Sequence, residues 1–388
     1  MEEAERDTRA REKEPYSIVV TTTIQLGYYR DAVRTRCAED SWNIPCSNCH
    51  AVTATVLICT YNRAQRLAET LDSLRAQEDA RTAWDILVVD NNSSDDTADV
   101  LRSRAASFPV PLRYLVEKRQ GKSYALNAGL SAISTDLVLF TDDDVRVSPA
   151  WIRVAVDALA QDPNVDYVGG PVRPIWGAPP PSWFPDTSNN LWGTVAVLDY
   201  GPSAFEFESR QRIPIGANMA VRRRLIDEAG GFTTALDRSG TALLGQGQAE
   251  FFYRTRQVGA RGRYLPAMVV HHHVPASRLT KRYFRRWWWW KGVSRSRLHA
   301  LHPHTETGVP LTGAPRIAGV PRFVYRELAH HSWNALRESV RGHSAAAAEQ
   351  QMLLIYSAAY AVESCRDFLD RRGPAAHAVA QRVLKKLT

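Results

Sequence analysis

From residue 54 to about residue 160 the chain alternates between two hydrophobic patterns. Short runs in which nearly every position is apolar (Ala54–Cys59, Asp85–Asp90, Leu112–Val116 and Asp136–Phe140) predict strands buried on both faces. Between them apolar residues return every three or four positions. Ala64, Leu67, Ala68, Leu71 and Leu74 mark one helix face, and Trp151, Ile152, Ala155, Val156 and Leu159 another. Asp95-Asp96-Thr97 supplies capping residues for a further helix, Ser123–Asn127 lies in a third, and Ser148-Pro149 is expected to cap the helix carrying Trp151. Strand alternating with helix predicts an α/β fold with a mostly parallel sheet covered on both faces. Ligands then belong at the carboxyl ends of the strands.

The pattern breaks between residues 171 and about 215, where Pro171, Pro174, Pro179, Pro180, Pro181 and Pro185 interleave with Trp176, Trp183 and Trp192. A functional surface loop is expected there. Regular structure resumes with a strand at Asn218–Val221, a helix near Arg224–Ala229 and a strand at Ala267–His272, and long helices follow over Arg322–Arg341 and Ala345–Arg372. Residues 1–52 are charged at first and then mixed, with order expected around Tyr16–Val20. The expected division is an extension over 1–52, the patterned domain over 53–300 and a helical region over 301–388.

A net charge of +8 suits an anionic ligand, a nucleic acid or an acidic membrane surface. The longest apolar run, Met352–Val362, falls well short of the roughly 20 residues that a bilayer demands. The opening Met1-Glu2-Glu3-Ala4-Glu5-Arg6 is the opposite of a basic-then-apolar export signal, so a cytoplasmic site of action is expected. Cys46-Ser47-Asn48-Cys49-His50 spells a haem-attachment pattern, but that chemistry belongs to exported chains. Adding Cys37 gives no standard zinc-finger spacing, and we read the cluster as chance.

The strand ends carry the informative chemistry. The first delivers Thr60-Tyr61-Asn62-Arg63, the second Asp90-Asn91-Asn92 and the fourth Asp142-Asp143-Asp144. No dinucleotide glycine fingerprint or Gly-Lys-Ser/Thr phosphate loop follows any of them. Adjacent carboxylates repel, and a divalent cation with a preference for hard oxygen ligands removes that repulsion. A hydrated acidic turn is the alternative.

Six segments in order resemble the family-2 glycosyltransferases of the GT-A fold, over roughly residues 53–300. They are Ile58–Arg63, Val88–Thr97, Gly121–Gly129, Phe140–Asp144, Gly216–Ala220 and His271–Pro275. The resemblance implies an enzyme that transfers a sugar from a nucleotide-diphosphate donor, UDP-linked by expectation, to an acceptor hydroxyl. It implies that Thr60, Tyr61, Asn62, Arg63, Asp90, Lys122, Asp142 and Asp143 hold the donor, with Asp90 on the base and Lys122 near the nucleotide or its phosphates. Asp142, Asp144 and a histidine would hold Mg²⁺ or Mn²⁺. Strand alternation puts residues 271 and 273 on one face and 272 on the other, and the family pattern favours His272.

An inverting transfer needs a base for the acceptor hydroxyl and a counter-charge for the departing diphosphate. The family places an aspartate where this chain has Gln248, and glutamine accepts no proton at neutral pH. Glu250 is therefore the expected base, with Asp237 in reserve. The alternative role for Glu250 is an ion pair with Arg254, one helical turn on. A nucleotide-sugar binder that has lost transfer is the rival reading of Gln248.

Arg278–Arg297 interleaves arginines and lysines with Tyr283, Phe284 and Trp287–Trp290. Tyr283 stands where processive synthases carry glutamine, so single addition is expected. This segment and the last helices predict peripheral contact with the inner face of the cell membrane. The acceptor is left open among a small molecule, a lipid-linked species and a saccharide. Nucleic acid is not an expected partner, because the acidic strand ends would repel its phosphates.

Overall fold

The computed structural model describes Ile18–Val19 and residues 52–185, 190–207, 212–237, 243–305 and 309–372. The Cys37, Cys46, Cys49 and His50 cluster lies outside them. Strand β1 (Ile18–Val19) precedes the expected alternation of β2 (Thr53–Thr60), α1 (Ala64–Arg75), β3 (Ala83–Asp90), α2 (Thr97–Ala105), β4 (Leu112–Val116) and α3 (Lys122–Ser131). Next, β5 (Leu137–Asp142) turns through Asp143-Asp144 into β6 (Val145–Val147), followed by α4 (Trp151–Gln161), β7 (Tyr167–Gly169) and β8 (Val172–Trp176). A 3₁₀ turn at Trp192–Val195 leads to β9 (Phe205–Glu206), β10 (Met219–Arg222), α5 (Arg223–Ala229) and α6 (Gly247–Gln257). Strands β11 (Gly262–Tyr264) and β12 (Val270–Val274) come before α7 (Lys281–Leu301). The hairpin of β13 (Arg316–Ile317) and β14 (Val320–Pro321) then leads to α8 (Arg322–Val340) and α9 (Ser344–Asp370).

The main sheet runs β1-β4-β3-β2-β5-β10-β7-β11-β9. Its centre, β4-β3-β2-β5, is parallel, and β10 lies antiparallel between β5 and β7. The fold is thus α/β with a mostly parallel central sheet and a helical C-terminal part. Alternate residues of β2 enter two cores. Val56 and Ile58 pack with Leu67, Leu71 and Trp151 on one side, and Leu57 packs with Ala125, Phe251 and Phe252 on the other. That two-sided burial is why the strand reads as an unbroken apolar run. The parallel register sets Thr60 beside Asp90 and Cys59 beside Asp142, gathering three strand ends at one rim.

Three sequence expectations change. The proline-rich segment is not simply a surface loop. Strand β8 pairs with β12, while Phe184 and Leu191 enter a core with Phe284, Trp288 and Met352. Pro174 is tolerated because β8 is the outer strand of the small sheet β6-β12-β8, where a missing N–H leaves no partner unsatisfied. Ser148 does not cap α4 with its side chain; its carbonyl accepts from Trp151 N at 3.0 Å instead. The strand expected at Ala267–His272 starts later, at Val270, because Met268 N donates back to Leu265 O in a turn.

Helix α9 lies along both α7 and α8, and the core it shares with α7 spans residue 300. Gly292 permits the close approach. A Cβ there would run into the Tyr356 carbonyl and lie 2.9 Å from Ala359 Cβ. Gly292→Val is therefore expected to destabilise the protein by about 1–3 kcal/mol. A thermal melt with an unchanged midpoint would contradict this account of the α7–α9 contact.

Candidate active site at the strand ends

The loops after β2 and β3 brace one another. Asn62 N donates to Ser93 Oγ at 2.9 Å, and Asn62 Oδ1 accepts from Ser94 N at 2.7 Å. Both Asn62 (φ 51°) and Asn92 (φ 64°) are left-handed, a conformation that asparagine adopts more readily than most residues. Asp90 is buried, and one of its oxygens accepts from Ser93 N at 2.9 Å. Thr60 is buried beside it, whereas Tyr61 is half exposed at the rim. Sequence reasoning gave Asn91 no role, yet its amide ties three elements together. Nδ2 donates to the carbonyls of Glu117 (2.9 Å) and Arg119 (2.7 Å), and Oδ1 accepts from Gly121 N (2.8 Å).

The acidic trio is divided among different partners. Lys122, at the start of α3, pairs with Asp142. Arg63 Nη1 bridges Asp143 Oδ1 at 2.9 Å and Asp144 Oδ2 at 2.5 Å. His272 is buried and places Nε2 3.4 Å from Asp144 Oδ1, while His271 and His273 occupy the other face of β12 as strand parity requires. Burial and the neighbouring Asp144 and Asp142 charges push the Asp143 carboxyl up against the pull of Arg63. Burial also acts on Asp144, but the hydrogen bond and charge of His272, with Arg63 and Arg278, outweigh it and hold that carboxyl well below the usual range. Arg278 is a contributor that sequence reasoning placed only within a basic segment.

A divalent ion fits this donor set. Asp144 and His272 present a carboxylate oxygen and an imidazole nitrogen side by side, and His272 Nδ1 is buried without a hydrogen-bond partner. Among the described residues no group of three or more His, Cys, Asp or Glu side chains converges. Two protein ligands suit Mg²⁺ or Mn²⁺, which take their other ligands from phosphate and water. Asp142, expected as a third ligand, is here the partner of Lys122.

The residues considered for the base lie in different surroundings. Gln248 is a staple: Oε1 accepts from Gly216 N at 2.9 Å and Nε2 donates to Pro214 O. Glu250 is buried in the ion pair with Arg254, whose Nε and Nη2 reach its two oxygens at 2.8 and 2.9 Å. His302 Nε2 adds a third contact at 2.9 Å. Glu250 also lines a cleft of about 670 Å³ with Asn127, Arg223, Asp227, Thr233 and Arg254. Asp237 instead sits at the start of α3, where Oδ2 accepts from Ser123 N at 2.6 Å. A side chain at Gly121 (φ 142°) would place its Cβ 2.5 Å from that oxygen, so the glycine makes room for the carboxylate. Asp237 acts with Asp142 and Asp143 to raise the Cys59 thiol, which burial has already pushed up strongly.

In α7 the basic and aromatic residues separate. Phe284 and Trp288 are buried, with Trp288 Nε1 donating to Thr194 Oγ1 at 2.9 Å, while Arg282, Arg285 and Arg286 are exposed. No helix among the described residues is long and apolar enough to cross a membrane.

Residues 55–230 match the profile of glycosyl transferase family 2. A glucosyl-dolichyl phosphate glucuronosyltransferase of Haloferax volcanii is 27% identical over 251 residues, spanning 64% of this chain and 78% of that protein. An undecaprenyl-phosphate 4-deoxy-4-formamido-L-arabinose transferase of Sodalis glossinidius is 35% identical over 175 residues, spanning 44% of this chain and 49% of its own length. An uncharacterized glycosyltransferase of Mycobacterium bovis is 30% identical over 172 residues, spanning 44% of this chain and 67% of that one.

Proposed function

The chain belongs to glycosyl transferase family 2 and is a glycosyltransferase, and from that premise we propose that it adds a single sugar, with inversion, from a nucleotide-diphosphate donor to a hydroxyl of a lipid-linked acceptor. The observation that carries the reading is the rim where Arg63 bridges Asp143 and Asp144 beside His272, with buried Asp90 and Lys122 on the neighbouring strand and helix ends. The lipid-linked acceptor is supported by the names of the Haloferax and Sodalis proteins, which specify dolichyl and undecaprenyl phosphates.

Asp90 hydrogen-bonds the nucleotide base, next to Thr60. Asp142 faces the ribose, and Lys122 turns from it toward the diphosphate when the donor enters. Asp144 and His272 would hold Mg²⁺ or Mn²⁺, and the bound ion would supply Lewis-acid neutralisation of the leaving diphosphate. We assign the base to Asp237 and not to Glu250. Arg254 and His302 already occupy both Glu250 oxygens, so little lone-pair capacity is left for an incoming proton. In the transfer, the Asp237 carboxylate takes the proton of the acceptor hydroxyl. The hydroxyl oxygen bonds to the anomeric carbon as the bond from that carbon to phosphate oxygen breaks, and the nucleoside diphosphate leaves with the electron pair.

A panel of nucleotide sugars, led by UDP-sugars, tests the reading by thermal shift and by transfer to a polyprenyl-phosphate-linked sugar. One donor is expected to raise the melting temperature and yield product with Mn²⁺, and EDTA should abolish both effects. Tight donor binding without turnover on any acceptor would favour the nucleotide-sugar binder, and stabilisation by no donor would sink the donor assignment.

A further inference from the structure

Helix α8 carries apolar side chains on two faces, and the protein covers only one of them. Its buried residues are Val324, Ala335 and Glu338, two of them small and one charged. Phe323 and Leu328 turn inward against Val324 and Tyr360, but four other large apolar side chains face outward, with Tyr325 at 39%, Trp333 at 65%, Leu336 at 59% and Val340 at 80% exposure. With exposed Ala329, they recur at spacings of four, four, three and four and occupy an arc of about 80° at ~100° per residue. Ile317, 56% exposed, extends the stripe at its N-terminal end, where Tyr325 Oη donates to the Ile317 carbonyl at 3.1 Å.

Except for exposed Arg322, which falls within the stripe at its N-terminal end, the charges on α8 are sorted about it. Exposed Arg326 and Arg337 fall along one edge of it, whereas the carboxylates Glu327 and Glu338 fall on the opposite side of the helix. Glu338 is buried, accepting from Arg337 Nε at 2.9 Å and contacting His343 Nδ1 at 2.8 Å. What faces solvent is therefore aromatic and aliphatic, rimmed by guanidinium groups, on a chain of net charge +8. A second copy packed antiparallel on the same face would bring those arginines against each other. An anionic lipid surface matches both the apolar stripe and its cationic border.

We propose that α8 lies in the headgroup boundary of an anionic bilayer, with Trp333, Leu336 and Val340 inserted and Arg326 and Arg337 on the phosphates. The inference rests on the lipid-linked reading of the acceptor for its purpose, but its test does not. The full-length protein is sedimented with phosphatidylcholine vesicles with and without phosphatidylglycerol, in the absence of donor. Co-sedimentation is expected with the anionic vesicles and should weaken with salt. Trp333→Ser, Leu336→Ser and Val340→Ser combined should lower partitioning on the order of 10²-fold, and Arg326→Gln and Arg337→Gln about fivefold each. Thermal melts of the triple-serine and Arg326→Gln variants should match the parent, since those side chains are exposed, whereas Arg337→Gln takes a partner from buried Glu338 and its binding is compared below its own melting temperature. A parent protein left in the supernatant with anionic vesicles, or variants that bind as well as it does, would overturn the proposal. So would light scattering that shows a dimer dissolved by the same three serines, because the stripe would then belong to a second copy. Vesicle binding by a protein that uses no polyprenyl-linked acceptor would instead sink the acceptor reading and leave this one standing.

Discussion

Replacing Asp237 by asparagine is expected to lower the turnover number about 10²- to 10⁴-fold, the usual contribution of a positioned base, while leaving the KM for the donor unchanged. Asparagine keeps an oxygen that can accept from Ser123 N, the contact now made at 2.6 Å, so the start of α3 should stay in place. Only proton acceptance is removed. Glu250→Gln should behave in the opposite way. That carboxylate is 4% exposed and receives Arg254 on both oxygens, so neutralising it leaves the guanidinium partly uncompensated. Breaking such a pair costs about 3–5 kcal/mol. The expected signature is a lowered unfolding midpoint with transfer retained by the molecules that remain folded. The two variants thus exchange their phenotypes between activity and stability. A Glu250→Gln protein of parental stability that transfers no sugar, beside an active Asp237→Asn, would return the base to Glu250.

What the sequence revealed depended on how local each determinant is. Strands β2, β3 and β5 were legible because burial on both faces leaves an unbroken apolar run, and α4 because all five of its expected core positions are buried. The acidic rim was legible because parallel strands end on one side, so residues following separate runs are brought together. Strand parity also separated His272 from His271 and His273. Strands β6, β7, β9 and β11 were not legible; two or three residues carry no period, and their pairing depends on distant partners. Strand β8 was hidden by Pro174, which reads as a loop residue unless the strand is known to lie at a sheet edge. The surroundings of the two candidate bases were illegible for a similar reason. His302 reaches Glu250 from 52 residues away, and Asp237 reaches Ser123 across 114. Helix α8 shows a third limit, since the sequence reading gave its extent but neither its apolar stripe nor which face the rest of the protein covers.

Asp144→Asn is expected to lower kcat/KM on the order of 10²- to 10³-fold, as loss of one preorganised charge partner does elsewhere. It should also abolish the dependence of donor binding on Mn²⁺. Of the three aspartates, only Asp144 is shared between Arg63 and His272, and these partners hold its carboxyl well below the usual range despite its burial. An amide in that position still fills the space but offers an ion no full negative charge. Asp143→Asn should be milder, because Asp143 contacts Arg63 but not His272. Calorimetric titration with UDP separates these cases without relying on turnover. The parent protein should bind UDP more tightly with Mn²⁺ than without it, Asp143→Asn should keep much of that gain, and Asp144→Asn should bind equally weakly in both conditions. Retention of the full Mn²⁺ gain by Asp144→Asn would mean that the ion is held by other groups and that Asp144 serves only to anchor Arg63.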